Sequence, residues 1–336
     1  MIQPLIIADA VDHIYILRDK KADIISDKVT FITDYNCKLK NKLRHLYRLR
    51  EGFRICKKYN IDLVAGVLIY PHGYIGRIIS FFKKLPYMHI TIAGECEFLI
   101  RGKLIELFNL FMFKKSKTIT VTGKKTRSYL LGKGYDSNKV VVVPNVIDIK
   151  KYKDFDKHRE YDIISISRLD KNKNVSLLLK AIVKIKSNKK VKALIVGDGP
   201  EFNNLISESK ILGISENVHF EGWIRDEDRI IDFYNVSKIY VLCSKGEGFP
   251  LTLLEGMSCG CVPITTDVGD ITDLISHGIN GYLLKDYNDA SELASLLEFL
   301  ISSPEKIDNL SAEAKKLKNE YSFEHVSHIW NNILKN

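Results

Sequence analysis

The run Ile239-Tyr-Val-Leu-Cys243 followed by Ser-Lys-Gly-Glu-Gly248 limits the architectures open to this chain more than any other stretch. Five consecutive apolar residues are too few for a helix and too continuous for a strand with one wet face. A strand buried on both faces is therefore expected. Gly246 and Gly248 break the run, and an apolar helix is expected from Leu251 to about Gly260, where glycine suits a left-handed cap. Strand, glycine turn and helix start form the repeating unit of open α/β sheets. Such sheets bind ligands outside the carboxyl ends of their strands. The amides of Leu251 and Thr252 would there face an anion, as helix starts favour phosphates.

Two carboxylates bracket the turn, Glu247 in the loop and Glu255 eight residues on. That separation does not make a close acid pair on one helix face. It suits two groups flanking a long ligand, each accepting hydrogen bonds from sugar hydroxyls. Alone, two glutamates beside glycines are ordinary solvated residues. With Gly-Cys-Val-Pro-Ile-Thr-Thr-Asp-Val-Gly at 260–269 behind them, the stretch resembles the donor-site signature of glycosyltransferase family 4. The resemblance implies an α/β GT-B fold, two Rossmann-like domains facing a cleft. It also implies transfer of a sugar from a nucleotide sugar with retention of anomeric configuration.

The second half carries more of the pattern. A strand is expected over Tyr161–Ser167, ending in Arg168, and a helix from Val175 with Leu178, Leu179, Ile182 and Ile185 on its apolar face. Arg168 and Lys173, five positions apart, match the family's cation pair at a first strand's end. Two fixed cations there would grip a diphosphate, the arginine as a planar fork and the lysine as a point charge. In so lysine-rich a chain the plain alternative is a basic loop. Ala193–Gly197 is expected as a strand, and the loop Asp198-Gly-Pro-Glu201 places Gly199 at the donor by resemblance. The family sets the base against backbone near Ile224, whereas Trp223 beside it reads as packing. By the same resemblance Glu247 is catalytic with Arg168 and Lys173, orienting the donor sugar. Gly248, Phe249, Pro250, Leu251, Thr252 and Glu255 bind the donor, Glu255 accepting from the ribose. Further helices are expected near 270–276, 288–301 and 304–319, then a last one reaching Leu334.

The first half departs from the family. Short strands are expected at 13–17 and 29–33, but no opening strand with a glycine-rich turn is found, so the N-terminal domain is read as shortened or atypical. Strands follow at 62–70 and 87–93, with Ala93 where the family commonly has histidine. His72 and Glu95 stand at neighbouring strand ends as acceptor-side candidates, each equally a polar loop residue. Phe98–Phe113 reads as an apolar helix packed in the core, although its interleaved aromatics and lysines also suit a membrane surface. Pro144-Asn-Val-Ile-Asp148 resembles the family's interdomain link. It sets expected boundaries of 1–150, 151–320 and a C-terminal helix at 321–336 crossing back to the first domain.

Charge separates the halves as sharply as the motifs do. Residues 1–150 hold 27 Lys+Arg against 13 Asp+Glu, and residues 151–336 hold 24 against 28. A basic half suggests a polyanionic partner. No nucleic-acid motif is present, which favours anionic lipid. Between Cys37 and Tyr59 nine Lys or Arg interleave with Leu39, Leu43, Leu46, Tyr47 and Phe53, the pattern of a basic amphipathic helix. That helix suits a membrane surface, or a surface helix packing its leucines on its own sheet. No apolar run is long enough to cross a bilayer and no signal peptide is seen. The scattered cysteines at 37, 56, 96, 243, 259 and 261 read as reduced thiols. The expected location is cytoplasmic, peripheral on the inner membrane face.

The expected activity is thus a retaining hexosyl transfer from a nucleoside-diphosphate sugar to an acceptor hydroxyl, in cell-surface polysaccharide or glycolipid synthesis. The acceptor would be a glycan or lipid-linked. No Asp-x-Asp metal motif stands out, and a helix start with Arg and Lys replaces a cation, so neither metal nor cofactor is expected. The main alternative is a non-catalytic subunit that binds nucleotide sugar or membrane. A nucleotide-sugar epimerase on the same fold lacks recognisable acid/base residues here.

Overall fold

The structure is a computed structural model that describes residues 2–18, 24–33, 41–92, 103–186 and 191–335. The chain divides into two compact units, Met1–Asn145 with Phe323–Asn336, and Val146–Ser322. Glu95, Ala93 and Cys96 lie outside the described residues, as does Cys37.

In the first unit α1 (Ile2–Ile7) precedes β1 (Ile14–Arg18) and β2 (Val29–Thr33), which pair in parallel with Ile14 opposite Val29. They form a sheet of their own. Next come α2 (Asn41–Lys58), β3 (Val64–Val67), a tight turn at Ile69–Gly73, α3 (Tyr74–Lys83) and β4 (Tyr87–Ile90). Then α4 (Lys103–Phe113), β5 (Thr118–Val121), α5 (Lys124–Gly132) and β6 (Val140–Val142) complete a parallel sheet ordered β3-β4-β5-β6. Its strands add in chain order, so this four-stranded sheet has no point where the winding reverses.

Two expectations change here. Leu46 of α2 is exposed, while Arg48, Glu51 and Gly52 are buried. These three share one face of the helix and form its packed side in place of Leu46. Gly52 sets the contact, because a Cβ there would come within 2.2 Å of Ile79 Cδ1, and glycine lets α2 approach α3 this closely. Buried Glu51 accepts from Arg50 and Arg54, each at 3.2 Å. In α4 the core takes Leu110 and Phe113, but Leu104, Leu107, Phe108 and Phe111 point to solvent.

The second unit is a six-stranded parallel sheet made by β7 (Tyr161–Ile166), β8 (Ala193–Val196), β9 (Val218–Gly222), β10 (Ser237–Leu242), β11 (Val262–Thr266) and β12 (Tyr282–Leu284). Between them run α6 (Val175–Lys184), α7 (Phe202–Ile211), α8 (Glu227–Asn235) and α9 (Leu251–Ser258), and after them α10 (Ala290–Ile301) and α11 (Pro304–Lys316). Alternate residues feed opposite cores. Ile163, Ile195 and Val241 join one apolar cluster, while Ile164, Leu194 and Tyr240 join the other. Helices on both faces explain why these strands read as continuous apolar runs. Burying each such side chain contributes about 1.5–3 kcal/mol. The helix expected near 270–276 is a single turn, Ile271–Asp273, and the one expected to 319 ends at Lys316 before a short turn. The last helix, α12 (Phe323–Lys335), packs on α1, and Asn331 Oδ1 accepts from the Ala10 amide at 2.9 Å.

Strand order is β12-β11-β10-β7-β8-β9. The chain enters at β7, builds outward to β9, then returns to lay β10 on the other side of β7. This is the Rossmann winding, and its reversal opens a crevice between the carboxyl ends of β7 and β10.

Candidate functional site at the sheet reversal

Both loops that leave this reversal carry residues singled out from the sequence. After β7, the Asp170 carboxylate staples the turn, accepting from the amides of Asn172 at 2.9 Å and Lys173 at 3.1 Å. It also accepts from Arg168 Nε at 2.8 Å. Burial pushes the Asp170 carboxyl up, but the Arg168 bond and the loop amides outweigh it and hold the group below its ordinary range. Gly199 has no room for a side chain, because a Cβ would stand 2.4 Å from the Leu169 carbonyl oxygen. The loop after β8 is thereby pressed against the loop after β7, and the Leu169 amide donates to Asp198 O at 2.9 Å.

Across the reversal, Lys173 Nζ reaches Glu247 Oε1 at 2.5 Å, and Ser244 Oγ donates to the same oxygen. Glu247 is only 10% exposed, whereas Arg168 is 74% exposed. The two loops are laced further by Asn172 Nδ2 to Gly246 O and by the Lys245 amide to Asn172 O, both 2.8 Å. Lys173 and Glu247 are therefore brought together, while the Arg168 guanidinium rests on Asp170 of its own loop.

Behind Glu247 a second loop crosses. Gly248 O accepts from the Asp270 amide at 2.9 Å, and Gly269 has φ +58°. Pro250 precedes α9 in extended conformation, and the helix start has no side-chain cap and no acid in its first turn. The amides of Leu251 and Thr252 have no acceptor within the helix. Phe249 is buried and its ring stands 5.5 Å from that of Tyr321, so its side chain anchors the loop to the core. Thr252 Oγ1 accepts from Tyr240 Oη at 2.7 Å.

Glu255 lies further along α9, partly buried, and Tyr234 Oη donates to its Oε2 at 3.1 Å. Burial pushes its carboxyl up to about 7, the Tyr234 bond opposing and Glu227 adding to the rise. A carboxyl raised from 4.5 on folding contributes stability that is fully present below about 4.5 and lost as pH climbs through about 7. Glu255→Gln, which keeps an acceptor for Tyr234 without the charge, should leave the thermal midpoint unchanged near pH 4. Above pH 7 it should raise the midpoint by about 2–6 °C. Thermal unfolding of both proteins across this range checks the sign.

The remaining candidates belong to other elements of the chain. Ile224, just after β9, packs on the apolar cluster beneath α8 and α9, and the neighbouring Trp223 is exposed. His72 sits in the Ile69–Gly73 turn of the first unit. Asp170, Ser244 and Tyr234 were missed from sequence. Only Asp170 carried a usable signal, since an aspartate ahead of Lys-Asn-Lys suits a side-chain-to-backbone turn. Among the described residues no cluster of His, Cys, Asp or Glu is arranged to hold a metal ion.

Residues 147–317 match the family described as glycosyl transferases group 1. N-acetyl-alpha-D-glucosaminyl L-malate synthase of Bacillus anthracis is 28% identical over 276 residues, covering 78% of this chain and 71% of that protein. Alpha-monoglucosyldiacylglycerol synthase of Streptococcus pneumoniae is 25% identical over 303 residues, covering 80% and 68%. Among solved structures, Anabaena HepE in complex with UDP-glucose aligns with a TM-score of 0.77 at 16% identity, covering 96% of this chain and 100% of the other. That likeness is one of fold.

Proposed function

The chain belongs to the group 1 glycosyl transferases, and from that premise we propose that it moves a hexose from a nucleoside-diphosphate sugar to an acceptor hydroxyl with retention of configuration. The observation that carries the reading is the meeting of Lys173 with Glu247 across the sheet reversal, beside a helix start whose amides have no intrahelical acceptor. Breaking the bond between the sugar and the diphosphate leaves negative charge on the departing phosphate. Lys173, Arg168 and the Leu251 and Thr252 amides are suited to receive that charge. Arg168 exchanges the Asp170 carboxylate for a phosphate oxygen, an exchange its exposure permits. Glu247 orients the donor sugar through its hydroxyls, and Glu255 accepts from the ribose. Backbone at Gly248, Phe249 and Ile224 lines the nucleotide, and Gly199 shapes the loop. His72 and Glu95 remain acceptor-side candidates.

UDP is the first nucleotide to try, since the HepE complexes hold UDP and UDP-glucose. The acceptor is a glycan or a lipid-linked hydroxyl in cell-surface polysaccharide or glycolipid synthesis, at the inner face of the cytoplasmic membrane. The name of the streptococcal relative supports a lipid acceptor. No metal or cofactor takes part in this reading, because fixed cations and amide dipoles hold the diphosphate.

A panel of UDP-, GDP- and ADP-sugars in a thermal-shift screen tests it, since a ligand selective for the native state raises the midpoint. The selected donor should then support transfer in excess chelator, with the product anomer read by proton NMR. Silence across the whole panel would remove the donor site. Donor binding without transfer or hydrolysis over a broad acceptor panel would make this a binding subunit. Activity abolished by chelator and restored by manganese would overturn the metal-free mechanism.

A further inference from the structure

We propose that the outer face of α3 and α4 is a docking surface for an anionic lipid bilayer. Along α4, Leu104, Leu107, Phe108 and Phe111 recur at i, i+3, i+4 and i+7 and are 84%, 61%, 52% and 71% exposed. A helix belonging to a core turns such a stripe inward. Here the inward side holds Asn109, Leu110 and Phe113. α3 lies alongside and runs the same way. Its Tyr74 hydroxyl donates to Asn109 Oδ1, its Tyr74 ring stands 6.1 Å from Phe108, and its Arg77 Nε donates to Met112 O at 3.3 Å. The last turn of α3 adds exposed Phe81 and Phe82. An apolar patch shared by two neighbouring helices marks an interaction site.

Charge selects the occupant. Residues 74–92 and 103–118 hold seven Lys or Arg and a single acid, Glu106. That acid is turned to its own unit, 2.7 Å from Lys133 and 2.8 Å from the Tyr129 hydroxyl. Lys103 and Lys115 stand exposed at the two ends of the α4 stripe, and Lys83 and Lys84 at the end of α3. A second copy of this chain would set the same cations against one another. A bilayer surface takes aromatic and leucine side chains to the depth of its headgroups and offers phosphates to the surrounding lysines. Among the described residues no helix is long and apolar enough to cross a membrane. Unlike the basic helix α2, whose Arg48 and Glu51 are buried, this face has its apolar side free to enter a bilayer.

The test is co-sedimentation of the full chain with vesicles of phosphatidylcholine alone and with vesicles about one-third phosphatidylglycerol. The chain should bind the anionic vesicles preferentially, and less so as salt is raised. Leu104→Ser with Phe108→Ser and Phe111→Ser should weaken that binding at least about tenfold. Lys103→Glu with Lys115→Glu should erase the preference for anionic lipid. All five positions are exposed, so thermal midpoints near that of the parent protein should accompany both variants. Equal sedimentation with both vesicle types, no sedimentation with either, or a serine variant that binds normally would overturn the proposal. So would a parent protein that dimerises on gel filtration and a serine variant that does not, since the face would then join two copies. Vesicle binding is read without any sugar substrate, so its failure leaves the transferase reading standing.

Discussion

Lys173→Ala is expected to lower kcat by about two to three orders of magnitude while changing KM far less. The ammonium is held at 2.5 Å from Glu247 before any donor arrives, so it is fixed in place rather than recruited. Charge on the departing phosphate grows only as the bond to the sugar breaks, and an interaction that strengthens along that path acts on kcat. The substitution also takes from Glu247, 10% exposed, the Lys173 ammonium across the reversal and leaves it the Ser244 hydroxyl. An uncompensated carboxylate in that setting costs about 1–3 kcal/mol of stability. Lys173→Met combined with Glu247→Gln should restore the thermal midpoint without restoring the rate, which separates folding from chemistry. Arg168→Ala should slow transfer by about one to two orders of magnitude and leave the midpoint nearly unchanged, because the exposed guanidinium contributes little to the fold. Single-turnover transfer by the three variants at saturating donor measures these effects. Near-parental rates in both alanine variants would remove the cation mechanism.

The second large effect is expected at a residue that touches no substrate. Gly269 crosses behind Glu247 with φ +58°, and a Cβ there would lie 2.0 Å from the Glu247 carbonyl oxygen and 2.8 Å from that of Gly248. Both obstacles are backbone, so no rotamer change relieves them. Gly269→Ala should destabilise the second unit by about 2–4 kcal/mol, a fall in thermal midpoint of roughly 5–15 °C. It should also displace the loop that carries Glu247 and weaken nucleotide-sugar binding at least about tenfold. Gly213→Ala is the control. It has φ +71°, but its Cβ would meet nothing within 4 Å. Its cost should be limited to the left-handed conformation, about 1 kcal/mol. Equal losses in the two variants, by thermal unfolding and donor titration, would show that no close crossing exists at Gly269.

Most of the second unit is legible in the amino-acid order, because the signals there are local. Ala193–Val196, and Ile239–Leu242 of β10, lie in short apolar stretches soon ended by glycine, and a doubly covered strand is what fits them. The spacings of Arg168 to Lys173 and of Glu247 to Glu255 are likewise properties of neighbouring residues. The first unit is harder for the same reason. In α2 the leucines repeat as well as the packed face does, and a single close approach at Gly52 chose Arg48 and Glu51 for burial.

The amino-acid order by itself determined where most strands, turns and helices fall in the second unit. Tertiary structure alone decided that β10 lies beside β7, which sets Glu247 against a lysine 74 residues earlier. It also decided that the Phe249 ring goes to the core and that burial raises the Glu255 carboxyl to about 7. On α4 the periodicity announced two unlike faces, and only the neighbouring α3 and β-sheet settled that the apolar one looks outward. The physical reason is common to all of these. Backbone preference and hydrophobic period act over a few residues, whereas burial, and with it charge state and accessibility, depends on what the fold brings from far along the chain.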